Sequence, residues 1–153
     1  MHVNGDFFII NRPFEKQVDT YPAPYVDVSI SPLAGQEPAD IIRFKARVDT
    51  GADITIIPRE QAERLMPLFL CKPIRVRGHN GRIERVWTYW MIVSIHGYPD
   101  RSQMRAYRPE RGVLLTDSDT GLIGMDIIKH WELTIDGASQ RFSVKTSIGV
   151  KPL

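Results

Sequence analysis

The sequence predicts a mostly β fold, a small closed barrel or sandwich, and three observations carry that expectation. Apolar and polar residues alternate with a two-residue period in most segments, turn residues recur about every ten positions, and helical periodicity is confined to short stretches. At 153 residues the chain has the size of one domain built around one core. With 42% hydrophobic and 25% charged residues, the composition is that of a folded chain. Twenty Lys and Arg against 18 Asp and Glu leave a net charge of +2, too small for a global field that recruits polyanions.

Residues 1–24 are interrupted by Asn11-Arg12-Pro13 and Tyr21-Pro22-Ala23-Pro24 around the apolar piece Phe7-Phe8-Ile9-Ile10. They are expected to form an arm docked on the body, with the domain proper over 25–153. Val26, Val28 and Ile30 alternate with Asp27 and Ser29 as a half-buried strand, and Ser31 to Gly35 turns it. A second strand, Ile41 to Val48, runs into Asp49-Thr50-Gly51-Ala52, and Ile54 to Ile57 is another β-rich run. Pro58 suits the first position of a short helix with Ala62, Leu65 and Met66 on one side. Ile74 to Arg77 and Arg82 to Val86 flank Gly78-His79-Asn80-Gly81, whose Asn-Gly predicts a projecting hairpin with a type I′ turn. Trp87 to Ile95 reads as one strand, and Met104 to Tyr107 and Val113 to Leu115 as others. Gly121 to Gly124 precedes a short helix that Asp126 is placed to cap. A closing hairpin turns at Asp136-Gly137 between Leu133 to Ile135 and Phe142 to Val144, and Thr146 to Leu153 reads as a tail or edge strand.

Several function classes lack support. Apolar runs such as Met91-Ile92-Val93 fall far short of the roughly 20 residues that span a bilayer, so no membrane partner is expected. Met1 to Asp6 has neither the positive start nor the apolar core of a signal peptide, which makes the cytoplasm the expected compartment. A single cysteine, Cys71, excludes an intrachain disulfide and a cysteine-built zinc site. His2, His79, His96 and His130 show no paired ligand spacing, and no Gly-rich phosphate loop occurs, so neither a metal nor a cofactor is expected. Arg75, Arg77, Arg82 and Arg85, with Lys72 and only Glu84 opposing, make the hairpin locally basic. The reading is a solvated face with edge-protecting charges; contact with phosphates or preference for an acidic substrate is the alternative, and nucleic acid is not an expected partner. Trp87, Tyr89 and Trp90 read as core or interface rather than a stacking platform.

Asp49-Thr50-Gly51-Ala52 remains as the candidate for chemistry. Hydrolysing an amide without a metal or a nucleophilic side chain needs one group to deprotonate water and another to protonate the carbonyl. Two carboxylates about 3 Å apart share one proton and supply both. Gly51 permits a tight turn toward the carboxylate, Thr50 offers a bracing hydroxyl, and Ala52 allows close approach. A chain with one such Asp builds the pair by dimerising about a two-fold axis.

Asp49-Thr50-Gly51-Ala52-Asp53 followed by Thr55-Ile56-Ile57 resembles the active-site loop of the retroviral-type aspartic proteases, the retropepsins. Leu122-Ile123-Gly124-Met125-Asp126-Ile127-Ile128 resembles the family's late apolar-apolar-Gly segment and short helix, and Gly78-His79-Asn80-Gly81 falls where the family places its flap. The likeness runs from about Tyr25 to Val144. It implies a small closed acid-protease barrel, homodimeric, with a flap hairpin and one short helix near the C-terminal end. The activity implied is aspartic endopeptidase on peptide or protein substrates, without a cofactor; a catalytically silent dimerisation or peptide-binding module on the same fold is the alternative. By the resemblance, Asp49 is the catalytic aspartate, Thr50 grips the partner loop across the dimer axis, and Gly51 contacts substrate through its backbone. Ala52 and Asp53 meet substrate main chain, Thr120 and Leu122 line side-chain pockets, and Gly78, His79, Asn80 and Gly81 form the flap tip. Met125 stands where retroviral members commonly carry Arg, so Asp53 is expected to lack that partner.

Overall fold

Two-residue alternation becomes twelve strands in three sheets in the computed structural model of the chain, which describes residues 7–17, 20–33, 42–77 and 80–147. In chain order these are β1 (Phe7–Pro13), β2 (Tyr25–Ser31), β3 (Ile42–Val48), β4 (Ile56–Pro58), helix α1 (Arg59–Ala62), β5 (Phe69–Arg77) and β6 (Ile83–Trp90). Then follow β7 (Ile92–His96), β8 (Met104–Tyr107), β9 (Leu114–Thr116), β10 (Gly121–Ile123), helix α2 (Met125–Ile128), β11 (Glu132–Asp136) and β12 (Arg141–Ser147). A seven-stranded sheet runs in the order β8-β7-β2-β3-β10-β4-β9; β1-β12-β11 form a second sheet and β5-β6 a separate hairpin.

The alternating positions of the central strands build the core. Val26, Val28 and Ile30 of β2, Ala46 and Val48 of β3, and Val93 and Ile95 of β7 turn inward and meet Ile57, Ile123 and Ile127. Each large aliphatic side chain buried this way contributes roughly 1.5–3 kcal/mol. The opposite row of β3 is exposed, but that of β2 and β7 is polar and partly covered: Ser29 and His96 are buried and share a 2.8 Å hydrogen bond between Oγ and Nε2.

β10 is parallel to β3 and antiparallel to β4, so a late segment is threaded between the two strands that flank Asp49. Gly121 permits this, because a Cβ there would lie 2.9 Å from the Ile56 carbonyl oxygen. The apolar piece near the start becomes β1, antiparallel to β12 in an unbroken register from Phe7 opposite Ser147 to Pro13 opposite Arg141. Phe8 and Ile10 are fully buried in the main core. Buried Arg12 pairs with Glu15 and Asp27, its guanidinium 4.3 Å from the Tyr98 ring centroid, so its charge is compensated on leaving water.

Three local expectations are corrected. Pro58 caps α1 from the end of β4 instead of opening the helix. The helix stops at Ala62 and passes into a 3₁₀ turn over Glu63–Leu65, so Ala62 and Leu65 are buried while Met66, just before Pro67, is 67% exposed. The run Trp87 to Ile95 divides at Met91: β6 belongs to the hairpin and β7 to the large sheet, with the Met91 side chain buried at the junction.

Candidate active site

The Asp49 loop is held by hydrogen bonds on every side. Val48 N–H donates to the Pro24 carbonyl at 3.0 Å, and Asp49 N–H donates to the Ile123 carbonyl at 3.0 Å, which fixes the loop against β10. Ala52 N–H donates to the Asp49 carbonyl at 3.1 Å, closing a tight turn. Within that turn Gly51 N–H donates to Asp49 Oδ1 at 2.9 Å, orienting the carboxylate; a Cβ on residue 51 would stand 3.3 Å from that oxygen. Arg47 Nη2 lies 3.8 Å from Oδ2. The Asp49 side chain is 30% exposed, and Thr50 and Gly51 are exposed, so the carboxylate sits at the protomer surface and not in a closed pocket.

Beneath the loop lies a buried polar lock. Thr55 is fully buried; its N–H donates to Asp126 Oδ2 at 2.9 Å and its hydroxyl donates to Asp126 Oδ1 at 2.7 Å. The same hydroxyl oxygen accepts from Gly124 N–H at 3.1 Å. Met125 N–H donates to the Ala52 carbonyl at 2.7 Å, tying the loop to the start of α2. A Cβ at Gly124 would come within 2.8–2.9 Å of backbone atoms of Ala52 and Ile54, so the contact between loop and helix requires glycine. Burial pushes the Asp126 carboxyl above the usual carboxylate range, although the two Thr55 hydrogen bonds pull the other way. Asp126 therefore does not cap α2, as its position predicts: Gly124 occupies the cap position and the carboxylate crosses to Thr55.

The edge of the large sheet and the β5-β6 hairpin enclose between them a cleft of about 420 Å³. Ile56 of β4 and Leu114 and Leu115 of β9 form its floor, and Val76 and Val86 of the β5-β6 hairpin, with Trp87, close it from above. Arg59 stands at one end, 3.1 Å from Asp117.

The predicted residues distribute as follows. Asp49, Thr50, Gly51 and Ala52 share the loop, and Leu122 lies beside it, opposite Ile56 on β4 and Arg47 on β3. Thr120 is half-buried just before β10, its N–H donating to Ser118 Oγ at 3.2 Å; neither it nor Leu122 lines the cleft. Asp53 is exposed and opens onto a separate hollow of about 230 Å³ with Glu110, Arg111, Met125, Asp126 and Lys129. Among the described residues it makes no ion pair. Asn80 and Gly81 lie at the hairpin tip, Gly81 at φ 77°, where Asn80 Oδ1 accepts from Arg82 N–H at 2.9 Å; Gly78 and His79 lie outside the described residues. No group of His, Cys, Asp and Glu among the described residues is placed to hold a metal ion.

Sequence reasoning missed the Thr55–Asp126 lock and most of the cleft lining. The period-two spacing of Ile74 and Val76, with Val86 opposite Ile74, carried the signal for part of the roof of the cleft, since Val76 and Val86 share one face of the hairpin.

A loop of this geometry, with a late strand threaded between its two flanks, defines the acid-protease class of fold. Residues 20–136 match the family described as retroviral aspartyl protease. That match spans well over half of the chain, and the chain belongs to this family, the retropepsin-like proteins. Comparison with curated proteins finds no match. A similar solved structure is EIAV protease complexed with the inhibitor HBY-793, at 19% identity and a TM-score of 0.46, covering 75% of this chain and 91% of that one. β1 and β12 lie outside the matched residues.

Proposed function

We propose that the chain is an aspartic endopeptidase whose single active site forms between two copies, with Asp49 of each facing the other. The observation that carries this reading is the Asp49 carboxylate itself: oriented by Gly51 N–H, braced from below by the Thr55–Asp126 lock, and left at the surface where a two-fold axis can supply its mate. Facing carboxylates share one proton. The ionised member takes a proton from a water between them as that water's oxygen bonds to the scissile carbonyl carbon, and the protonated member gives its proton to the carbonyl oxygen. The tetrahedral diol collapses with a proton passing to the leaving amine, which restores the shared-proton pair. Thr50 grips the opposing loop, Gly51, Ala52 and Asp53 contact substrate main chain, and the hairpin tip at Asn80 and Gly81 closes over it. The apolar cleft under the hairpin favours large apolar substrate side chains.

The test is Asp49→Asn. The variant is expected to keep its solution mass and melting temperature while cleavage of a peptide library falls at least about a thousandfold; undiminished cleavage refutes the assignment. One observation favours the second reading, a catalytically silent peptide-binding or dimerisation module. Arg47 stands 3.8 Å from Asp49 Oδ2, a cation competing for the oxygen that the partner's carboxylate must approach. Peptides that bind the dimer but remain uncut from about pH 3 to about pH 8, a range spanning carboxylate titration, establish that reading.

A further inference from the structure

We propose that the outward face of the β5-β6 hairpin is an exosite that captures an acidic segment of a protein substrate, next to but separate from the cleft; this rests on the peptidase reading above. The register of the hairpin sets Arg75 directly opposite Arg85, with Arg77 opposite Ile83 and Pro73 opposite Trp87. Side chains two apart on a strand share a face, so Arg75, Arg77, Arg85 and Ile83 project together. Val76 and Val86, on the alternate face, line the cleft; on the arginine face Trp87, on the side away from the tip, reaches it, whereas Arg75, Arg77 and Arg85 do not line it. All three arginines and Ile83 are exposed.

Like charges directly opposite each other destabilise a strand pair. Here nothing offsets them: no carboxylate pairs with Arg75, Arg77, Arg82 or Arg85 among the described residues, and Arg77 reaches only the Gly81 carbonyl at 3.1 Å. Glu84 is opposite Val76 and so belongs to the other face. An unopposed cationic strip complements an anion. Its repeat along the strand, about 6.8 Å for two residues, matches the repeat of alternate side chains in an extended peptide. Sequence-independent nucleic-acid binding of useful strength draws on roughly 6–10 phosphate contacts, more than this strip supplies, and the chain as a whole carries only +2. The place of the strip also favours a polypeptide, since a substrate held under the hairpin emerges past its edges. An acidic stretch flanking the scissile bond would bind there, raising local substrate concentration without touching the reacting atoms.

The test uses the full chain and a fluorescein-labelled oligo-glutamate peptide followed by anisotropy, with an oligothymidine of equal formal charge alongside. Wild type is expected to bind the peptide, and Arg75→Glu/Arg85→Glu to weaken binding about tenfold or more, with Arg75→Gln/Arg85→Gln between them and all three weakening as salt rises. Matching circular dichroism melts exclude misfolding of the variants, and the glutamine pair keeps the test alive if the charge reversal does not fold. Equal affinity in all three proteins, displacement of the peptide by a statine-type inhibitor, or tighter binding of the oligothymidine each overturns the proposal. Binding needs no hydrolysis, so Asp49→Asn should bind oligo-glutamate like wild type; retained binding with no cleavage by the wild type would sink the peptidase reading and leave only an acidic-segment docking face.

Discussion

Replacing Thr55 by Val tests the lock beneath the Asp49 loop with almost no change of shape. The hydroxyl donates to Asp126 Oδ1 at 2.7 Å and accepts from Gly124 N–H at 3.1 Å, and both bonds disappear, while the bond from Thr55 N–H to Asp126 Oδ2 survives. A hydrogen bond to a charged acceptor contributes about 1.5–3 kcal/mol, and a buried N–H left without a partner costs about 1–3 kcal/mol. Some relaxation of the helix start offsets part of this, so a loss of about 2–4 kcal/mol is expected, a large share of the roughly 5–15 kcal/mol that holds a domain together. Urea unfolding at one fixed protein concentration reads the loss, because dimerisation would otherwise add its own contribution. The midpoint should fall while the slope stays constant. Thr55→Ser keeps the hydroxyl and should cost about 1 kcal/mol, near the value of one buried methyl group. A valine variant within about 1 kcal/mol of wild type, or a serine variant as damaged as the valine, refutes the reasoning, since the hydroxyl would then carry no weight.

Two further outcomes follow from the fold. Burial, and after it the Arg43 cation, hold His96 below the ordinary histidine range. The unfolded chain therefore takes up this proton first as pH falls, so the contribution of His96 is complete above the ordinary histidine value and is lost as pH drops through the depressed one. Melting temperatures should decline from about pH 7 to about pH 5, and His96→Gln, which can still bond Ser29, should decline less; identical slopes would show that His96 titrates normally. Phe8→Ala empties a fully buried position on β1 and should cost about 3–5 kcal/mol by thermal or urea unfolding, whereas a cost below about 1 kcal/mol would mean that β1 is not part of the core.

What the sequence made legible was mostly local. The Asp49 loop at a strand end, the hairpin around Asn80-Gly81 and the turn at Asp136-Gly137 each depend on residues within a few positions of one another, where period and turn chemistry act directly. Distant pairings carried no such mark. Asp126 satisfies every local criterion for a helix cap, yet Thr55, 71 residues earlier, offers its carboxylate two donors inside the protein. The break at Met91 has no glycine or proline to announce it, because the chain changes sheets there to keep both halves packed. The arm reading of residues 1–24 rested on prolines, whereas Phe8 and Ile10 owe their place to a partner strand at the far end of the sequence. The Asp-Thr-Gly loop was legible as a motif; the cleft under the hairpin was not, since its walls come from β4, β9 and the hairpin together.

The pairing of β1 with β12 has a consequence for how the molecule comes into being. Asn11 and Arg141 are hydrogen-bonded across 130 residues of sequence, so during synthesis the first strand waits for nearly the whole barrel to be translated before it finds its neighbour. Until then Phe8 and Ile10 lack the strand that completes their cover, a window in which holdase chaperones or aggregation compete with correct closure. Closure of this pair therefore comes late in synthesis. A nascent chain cannot complete this core until its late strand has been made.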